Sequence, residues 1–253
     1  MLRPLPRPWV RSVEPVVRRL SAYATLSEAD ETLMLGLTER MERFNPGAEV
    51  MREGDRTGRA RFLLSGWACR QRVLPDGRRQ IFGFLLPGDG LGFCGPHATP
   101  ALSSILAITA LETADGERVR AVALNEPHGG LAKALNLAAS LEEARLLDSL
   151  VRLGRQTAYE RVAHLLLELY HRLSVVGLGF EQRFTMPLTQ EVLADALGLS
   201  VVHVNRTLQQ LRREGLIELR AGGAILLAPE QLTIIADFQS PTLIRDRLVS
   251  SST

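Results

Sequence analysis

Leu188 to Glu218 reads LTQEVLADALGLSVVHVNRTLQQLRREGLIE, and its punctuation decides the architecture of the chain around it. Thr189 is a good N-cap for a helix of about two turns, with Val192, Leu193, Ala196 and Leu197 on its apolar side. Gly198 supplies the left-handed residue that ends it. Ser200 caps a second helix, in which Val204, Leu208 and Leu211 recur at steps of four and three, and Gly215 stops it. Two short helices joined by a tight glycine turn, the second with a polar face, predict a helix-turn-helix. The LIELRAGGAILLA that follows reads as two short strands around Gly222 and Gly223, which is a wing.

The second helix turns Val202, His203, Asn205, Arg206, Gln209, Gln210 and Arg213 outward, with Val201 in its first turn. Arginine can donate two parallel hydrogen bonds to guanine O6 and N7, an Asn or Gln amide can pair with adenine, and an apolar group can touch the thymine methyl. Arg206 is therefore the expected guanine reader. Asn205, Gln209 or Gln210 suits adenine, and His203 adds a polar contact. Val201 and Val202 suit a thymine methyl, with the alternative that one of them packs on the preceding helix. Arg213, farther along, suits phosphate, which sets affinity and salt dependence rather than sequence choice. The caps Thr189 and Ser200 complete the candidate set. A winged unit serving only protein contacts is the alternative reading.

Upstream, Leu131 to Leu153 has helical period. Leu137, Leu141, Ala144, Leu147 and Val151 recur at steps of four, three, three and four, so they share a face. Leu135, Leu146, Leu150 and Leu153 add a second apolar flank, more than one domain usually covers. A dimerisation helix packed on its symmetry mate explains the excess, and a helix sandwiched within one subunit is the alternative. Gly154 is expected to interrupt it, and TAYERVAHLLLELYHRL forms the next helix. In that helix His164 and His171 share a face at a spacing that suits packing or surface roles rather than paired ligands.

From Phe44 to Leu124 short apolar or alternating runs are separated by glycine turns, which predicts an antiparallel β-sandwich. Asp76-Gly77 suits a tight primed hairpin turn. LSEADETLMLGL, from Leu26, predicts a short helix capped by Ser27, and the Pro- and Arg-rich start reads as an extended arm. The fold class is α+β: an N-terminal antiparallel β-sandwich or jelly roll, a long dimerisation helix and a C-terminal winged helix-turn-helix. The expected segments are a flexible arm over 1–17, a sensor domain over 18–125, the dimerisation helix over 126–155, the winged helix-turn-helix over 156–240 and a tail over 241–253.

The chain has 253 residues, 45% hydrophobic and 23% charged, and no apolar run approaches the ~20 residues of a membrane span. Prolines and arginines break up the N-terminus, which therefore lacks the apolar core of a signal peptide, so a cytoplasmic location is expected. A net charge of +2 means that any nucleic-acid binding must come from local placement of charge. Cys69 and Cys94 are expected as free thiols. Cys69 lies in an apparent strand as a buried structural thiol, and redox sensing by either would need an exposed, acidified one. A metal enzyme built on the sandwich is rejected, because His97 and His128 have no ligand spacing.

Together LSGWACRQRVLPDGRRQIFGFLLPGDGLG, LGRQTAYERVAHLLLELYHRL and PLTQEVLADALGLSVVHVNRTLQQLRREGLI resemble the Crp/Fnr superfamily of bacterial transcription regulators, over about Arg18 to Phe238. The resemblance implies a homodimer that binds an imperfect palindrome in double-stranded DNA, with RNA polymerase as a partner where it activates, and a sandwich that senses a signal. It also implies that a change in the sandwich alters packing around Gly154 and reorients the recognition helices. In the most studied members a Glu shortly after the Ser or Thr cap and an Arg four positions later read bases. Arg206 matches that Arg, whereas Val202 stands at the Glu position, so a different half-site is expected.

Members that bind a cyclic nucleotide hold it with a Gly-Glu pair and an Arg. The corresponding stretch here, Gly90 to Leu111, has no charged residue, although Arg61, Arg78 or Arg79 could fold in from neighbouring strands. A buried phosphate without a cation is costly, so no cyclic nucleotide is expected. The cysteine cluster of the iron-sulfur branch is absent, and Cys94 with His97 is only a faint echo of a haem pair. No cofactor is expected, and an unidentified small-molecule signal, or none, remains. The alternative to a DNA-reading regulator is a sensor module that controls a protein partner.

Overall fold

The computed structural model describes residues 13–55, 59–93 and 100–239. Helix α1 (Glu14–Tyr23) starts inside the segment expected to be an extended arm. Pro15 sits in its first turn, where a missing N–H is not needed, and Val16 and Leu20 form a buried i, i+4 pair. The arm reading therefore fails from Val13 onward, because these apolar residues reach the core; residues 1–12 and the tail from 240 lie outside the described residues. Helix α2 (Glu28–Leu35) has the expected Ser27 cap, completed as a capping box by Asp30.

The sandwich consists of β1 (Met41–Phe44), β2 (Glu49–Met51), β3 (Arg61–Ser65), β4 (Ala68–Val73), β5 (Arg79–Leu85), β6 (Gly90–Leu91), β7 (Ser104–Ala107) and β8 (Leu111–Asp115). They form two antiparallel sheets, ordered β1-β8-β3-β6 and β2-β7-β4-β5. Leu63, Ala68, Leu85, Leu91, Ile105 and Leu111 fill the space between them. Between β3 and β4, Gly66 has φ +85°, and a Cβ there would lie 2.4 Å from the Ala110 carbonyl oxygen. The β4–β5 hairpin forms where expected, but its turn is not a two-residue primed turn. Gly77 N–H donates to the Leu74 carbonyl and Leu74 N–H to that of Arg78, leaving Pro75, Asp76 and Gly77 as a three-residue loop with Gly77 at φ +86°.

Glu117 to Asn125, included in the β pattern, is helix α3. Val119, Val122 and Ala123 are spaced for a helix and pack on the cluster around α1. Helix α4 (Gly130–Arg155) runs straight through Gly154, contrary to expectation. The break falls at Gln156 and Thr157, both extended. There the Thr157 side chain and Glu160 close a capping box that starts α5 (Ala158–Val175).

The C-terminal unit contains β9 (Gly179–Phe180), β10 (Arg183–Thr185), α6 (Gln190–Leu197), α7 (Val201–Arg213), β11 (Ile217–Arg220), β12 (Gly223–Leu226) and α8 (Pro229–Ala236). The wing strands pair as expected, from Ile217 opposite Leu226 to Arg220 opposite Gly223. The sheet is extended by β10 and β9. Those strands are very short, and Glu181 and Gln182 make their turn at positive φ with no glycine to announce it.

The two halves share one core. Trp67, Cys69, Ile81, Phe84 and Leu86 of the sandwich pack in the same cluster as Leu166, Leu169 and Leu173 of α5 and Leu193, Leu197 and Leu208 of the helix-turn-helix. Burying each leucine side chain contributes roughly 1.5–3 kcal/mol. A chain of charges crosses the same junction. Asp89, in the turn after β5, faces Arg19 of α1 at 3.3 Å and accepts from Arg172 of α5 at 2.6 Å. Arg172 also reaches Glu168, which accepts from Arg152 of α4 at 2.9 Å. Arg152 in turn donates to Nδ1 of His164.

Burial disfavours the charge on Glu168, but the guanidiniums of Arg152, Arg172 and Arg145 outweigh it and hold its carboxyl down at about 2. Burial, aided by Arg152, pushes His164 down to about 4, so it is neutral at neutral pH and its Nδ1 is free to accept. Arg145, Asp148, Glu168, His171 and Arg172 line the cavity beside it. Both groups bind protons more readily unfolded than folded, so both stabilise the fold above their unfolded pKa values and lose that contribution as pH falls. Thermal denaturation should show a loss from about pH 6.5 down to about 4 through His164, and a further loss below about 4.3 through Glu168. His164→Gln should shrink the upper window to the share contributed by His171, which burial also holds below its ordinary value; an unchanged profile would contradict the assignment.

Candidate nucleic-acid interface

The Thr189 hydroxyl accepts from Val192 N–H at 3.3 Å, and the Ser200 hydroxyl accepts from His203 N–H at 3.2 Å, so both expected caps are in place. Gly198 is left-handed at φ +62° and turns the chain between α6 and α7. Val204, Thr207, Leu208 and Leu211 form the buried side of α7. Thr207 settles there by donating its hydroxyl to the His203 carbonyl. The opposite side presents Val202, Arg206, Gln209 and Arg213, spaced four, three and four apart, as one exposed stripe.

The two valines differ. Val202 is 60% exposed on the stripe, whereas Val201 is 38% exposed on its flank. Among the described residues Arg206 and Gln209 make no hydrogen bond or ion pair, so both are free to reach a base edge. His203 is exposed beside them. Gln210 is committed elsewhere: its amide donates to Glu214 at 3.0 Å, which also accepts from Tyr159. Asn205 is half-buried between the helices and donates to Oε1 of Gln190 at 3.1 Å. Arg212 and Arg213 lie in the last turn, where cations complement the helix dipole.

The reading unit is held from behind by contacts that the sequence pattern did not single out. Arg161 of α5 donates to the carbonyls of Leu153 in α4, Gln156 at the junction and Leu197 at the end of α6, at 2.8 to 3.0 Å. A Cβ on Gly198 would meet Leu153 at 2.9 Å, so the end of α4 touches the helix-turn-helix turn itself. From the sandwich, Arg79 pairs with Asp195 of α6 at 2.6 Å, and Gln80 donates to the Asp195 carbonyl at 2.9 Å. The sequence signals were available, as an Arg in the first turn of α5 and a basic hairpin, but only the tertiary fold supplies their partners. Arg220, on the wing, is tied to Glu218 at 2.7 Å.

Of the proposed dimer residues, Leu137 and Leu141 are half-buried and line a cavity with α1 and α5, and Ala144 is half-buried. Leu147 and Val151 are exposed, and Leu146 and Leu150 join them, with Leu150 at 67%. Cys69 is buried, and burial pushes its thiol up to about 11, the opposite of what a redox sensor requires. Cys94 lies outside the described residues. Both histidines of α5 have packing roles, with the Phe238 ring 4.9 Å from His164 and 6.1 Å from His171. No helix among the described residues is long and apolar enough to cross a membrane.

Two family models match the chain: a cyclic nucleotide-binding domain over residues 41–114 and a Crp-like helix-turn-helix domain over residues 160–235. The nitrogen fixation regulation protein FixK of Bradyrhizobium diazoefficiens is 34% identical over 220 residues, covering 86% of this chain and 91% of that protein. The transcriptional activatory protein AadR of Rhodopseudomonas palustris is 32% identical, covering 87% and 90%. Among solved structures, FixK2 from Bradyrhizobium japonicum aligns with a TM-score of 0.68 at 25% identity, covering 79% of this chain and 98% of that one. The sandwich, the long helix and the winged reading unit thus agree with the comparisons, and the chain belongs to the Crp/Fnr family of DNA-binding transcription regulators, which are not enzymes.

Proposed function

We propose that this regulator acts in the cytoplasm as a homodimer on an imperfect palindrome, with Arg206 reading guanine in each half-site. The observation that carries the reading is the stripe of Val202, Arg206, Gln209 and Arg213, in which Arg206 has no partner of its own among the described residues. Val202, at the position of the family's usual Glu, offers a methyl contact instead of a carboxylate. That favours a thymine and a half-site different from the one read by Glu-bearing members. The exposed Leu147, Leu150 and Val151 on α4 supply the dimer seam, since an unpaired apolar strip of this kind marks an interaction surface. AadR is a transcriptional activatory protein, which supports recruitment of RNA polymerase by this chain as well.

The sandwich does not bind a cyclic nucleotide in this reading. Phe93, just past β6, packs at a tilt against Phe62 with ring centroids 4.6 Å apart and closes over Gly90 and Gly116. The arginines that might have faced a phosphate have other partners: Arg61 pairs with Glu42, Arg78 with Asp76 and Arg79 with Asp195. Any signal, a small molecule included, reaches α7 through the Asp89–Arg172–Glu168–Arg152 chain and through Arg161, which grips the end of α4 and the end of α6 together. The response is then a shift between two packings of the α4–α5 junction.

Arg206→Ala should relax operator selectivity at the guanine it reads, costing roughly 1–3 kcal/mol of discrimination there, while the dimer persists. Selection from random DNA tests this, and recovery of the wild-type motif by the mutant would refute it. Light scattering should give a dimer at micromolar concentration, and Leu147→Asp should shift it toward monomer. A monomeric wild type would remove the seam.

A further inference from the structure

Asn205 is the one polar residue of the reading helix that is both half-buried and held by a side chain of the other helix. Its partner, Gln190, is the first residue of α6, directly after the Thr189 cap, and so stands at the mouth of the reading unit. A primary amide has two N–H donors and one carbonyl oxygen. Bidentate pairing with adenine uses the oxygen and the N–H on the same edge, which accept from N6 and donate to N7. The second N–H points away from that edge and needs an acceptor of its own. Gln190 Oε1, at 3.1 Å from Asn205 Nδ2, is such an acceptor.

We propose that Gln190 is a specificity-positioning residue: by accepting from the Asn205 amide it fixes which edge of that amide faces the groove, so that one adenine in each half-site is read by the pair. The inference rests on α7 being the base-contacting helix. Without Gln190 the Asn205 amide is free to flip, and a flipped amide places its N–H at the N6/O6 position, where adenine N6–H repels it and guanine O6 accepts it. Preference at that single base pair is then lost while the neighbouring contacts remain. Gln190 touches no base in this arrangement; it acts through Asn205. A residue that merely braced α6, or met only phosphate, would lower affinity for every sequence alike.

The test compares bound-sequence profiles of the full-length protein with Gln190→Ala, Gln190→Glu, Asn205→Ala and Arg206→Ala, each checked for an unchanged thermal midpoint. Glutamate keeps an acceptor for Asn205 and is the conservative rescue. The expected result is that Gln190→Ala and Asn205→Ala lose about tenfold preference at the same base pair. Gln190→Glu should keep that preference, while binding all sequences more weakly because of its added negative charge. A profile unchanged in shape for Gln190→Ala would overturn the proposal. So would loss of preference in Gln190→Glu equal to that in the alanine variant, or an Asn205→Ala profile identical to the wild type. If Arg206→Ala also left the profile untouched, the fault would lie with the reading of α7 itself.

Discussion

Asp89 is the constraint from which the rest of the structure follows. Its carboxylate is buried at the turn that closes β5, between the guanidiniums of Arg19 and Arg172. Burial opposes its charge, yet the two arginines hold its pKa below the ordinary carboxylate value. A second bond to Leu86 N–H, at 2.7 Å, fixes its orientation. Removing one partner of such a cluster leaves an uncompensated charge in the interior, which costs about 3–5 kcal/mol. The cluster therefore specifies one docking of α1 and α5 on the sandwich. Apolar packing of Trp67, Phe84 and Leu86 against α5 supplies the bulk of the affinity between the halves, and the charges set its register.

From that fixed point the reading unit is assembled in steps. Arg172 passes to Glu168, Glu168 to Arg152, and Arg152 belongs to α4, so the sandwich, α4 and α5 share one electrostatic network. Arg161 then joins the end of α4 to the end of α6, and Arg79 with Gln80 holds α6 from the sandwich side. Helix α6 is thus held from two sides, and α7, packed on it, keeps its outer stripe free. These contacts are a physical route by which a change in the sandwich would reach the helix-turn-helix.

The sequence was most legible where local chemistry decides structure. Thr189, Ser200 and Gly198 announced both helices of the reading unit, and the step of Val204, Leu208 and Leu211 gave its buried side. The β4–β5 hairpin was visible in Asp76-Gly77, although a proline before the pair favoured a longer loop than expected. What was hidden depends on tertiary partners. Nothing local couples Gln190 to Asn205, Arg79 to Asp195 or Arg19 to Asp89. Gly154 looked like a break, yet an exposed glycine with open space where a Cβ would stand is tolerated in a long helix, and the real stop was the Thr157 cap. The start of α1 was masked by prolines, one of which turned out to suit a first helical turn.

The most direct measurement is a double-mutant cycle on operator affinity using Asp89→Asn, Arg172→Met and the pair, with sequence-independent DNA binding as the reference. If the charged junction sets the orientation of α7, each single change weakens operator binding without weakening non-specific binding to the same degree. The double variant is then no worse than the poorer single one, as expected for groups acting as a unit. Operator affinities that stay at the wild-type value, or losses that simply add, would contradict the account.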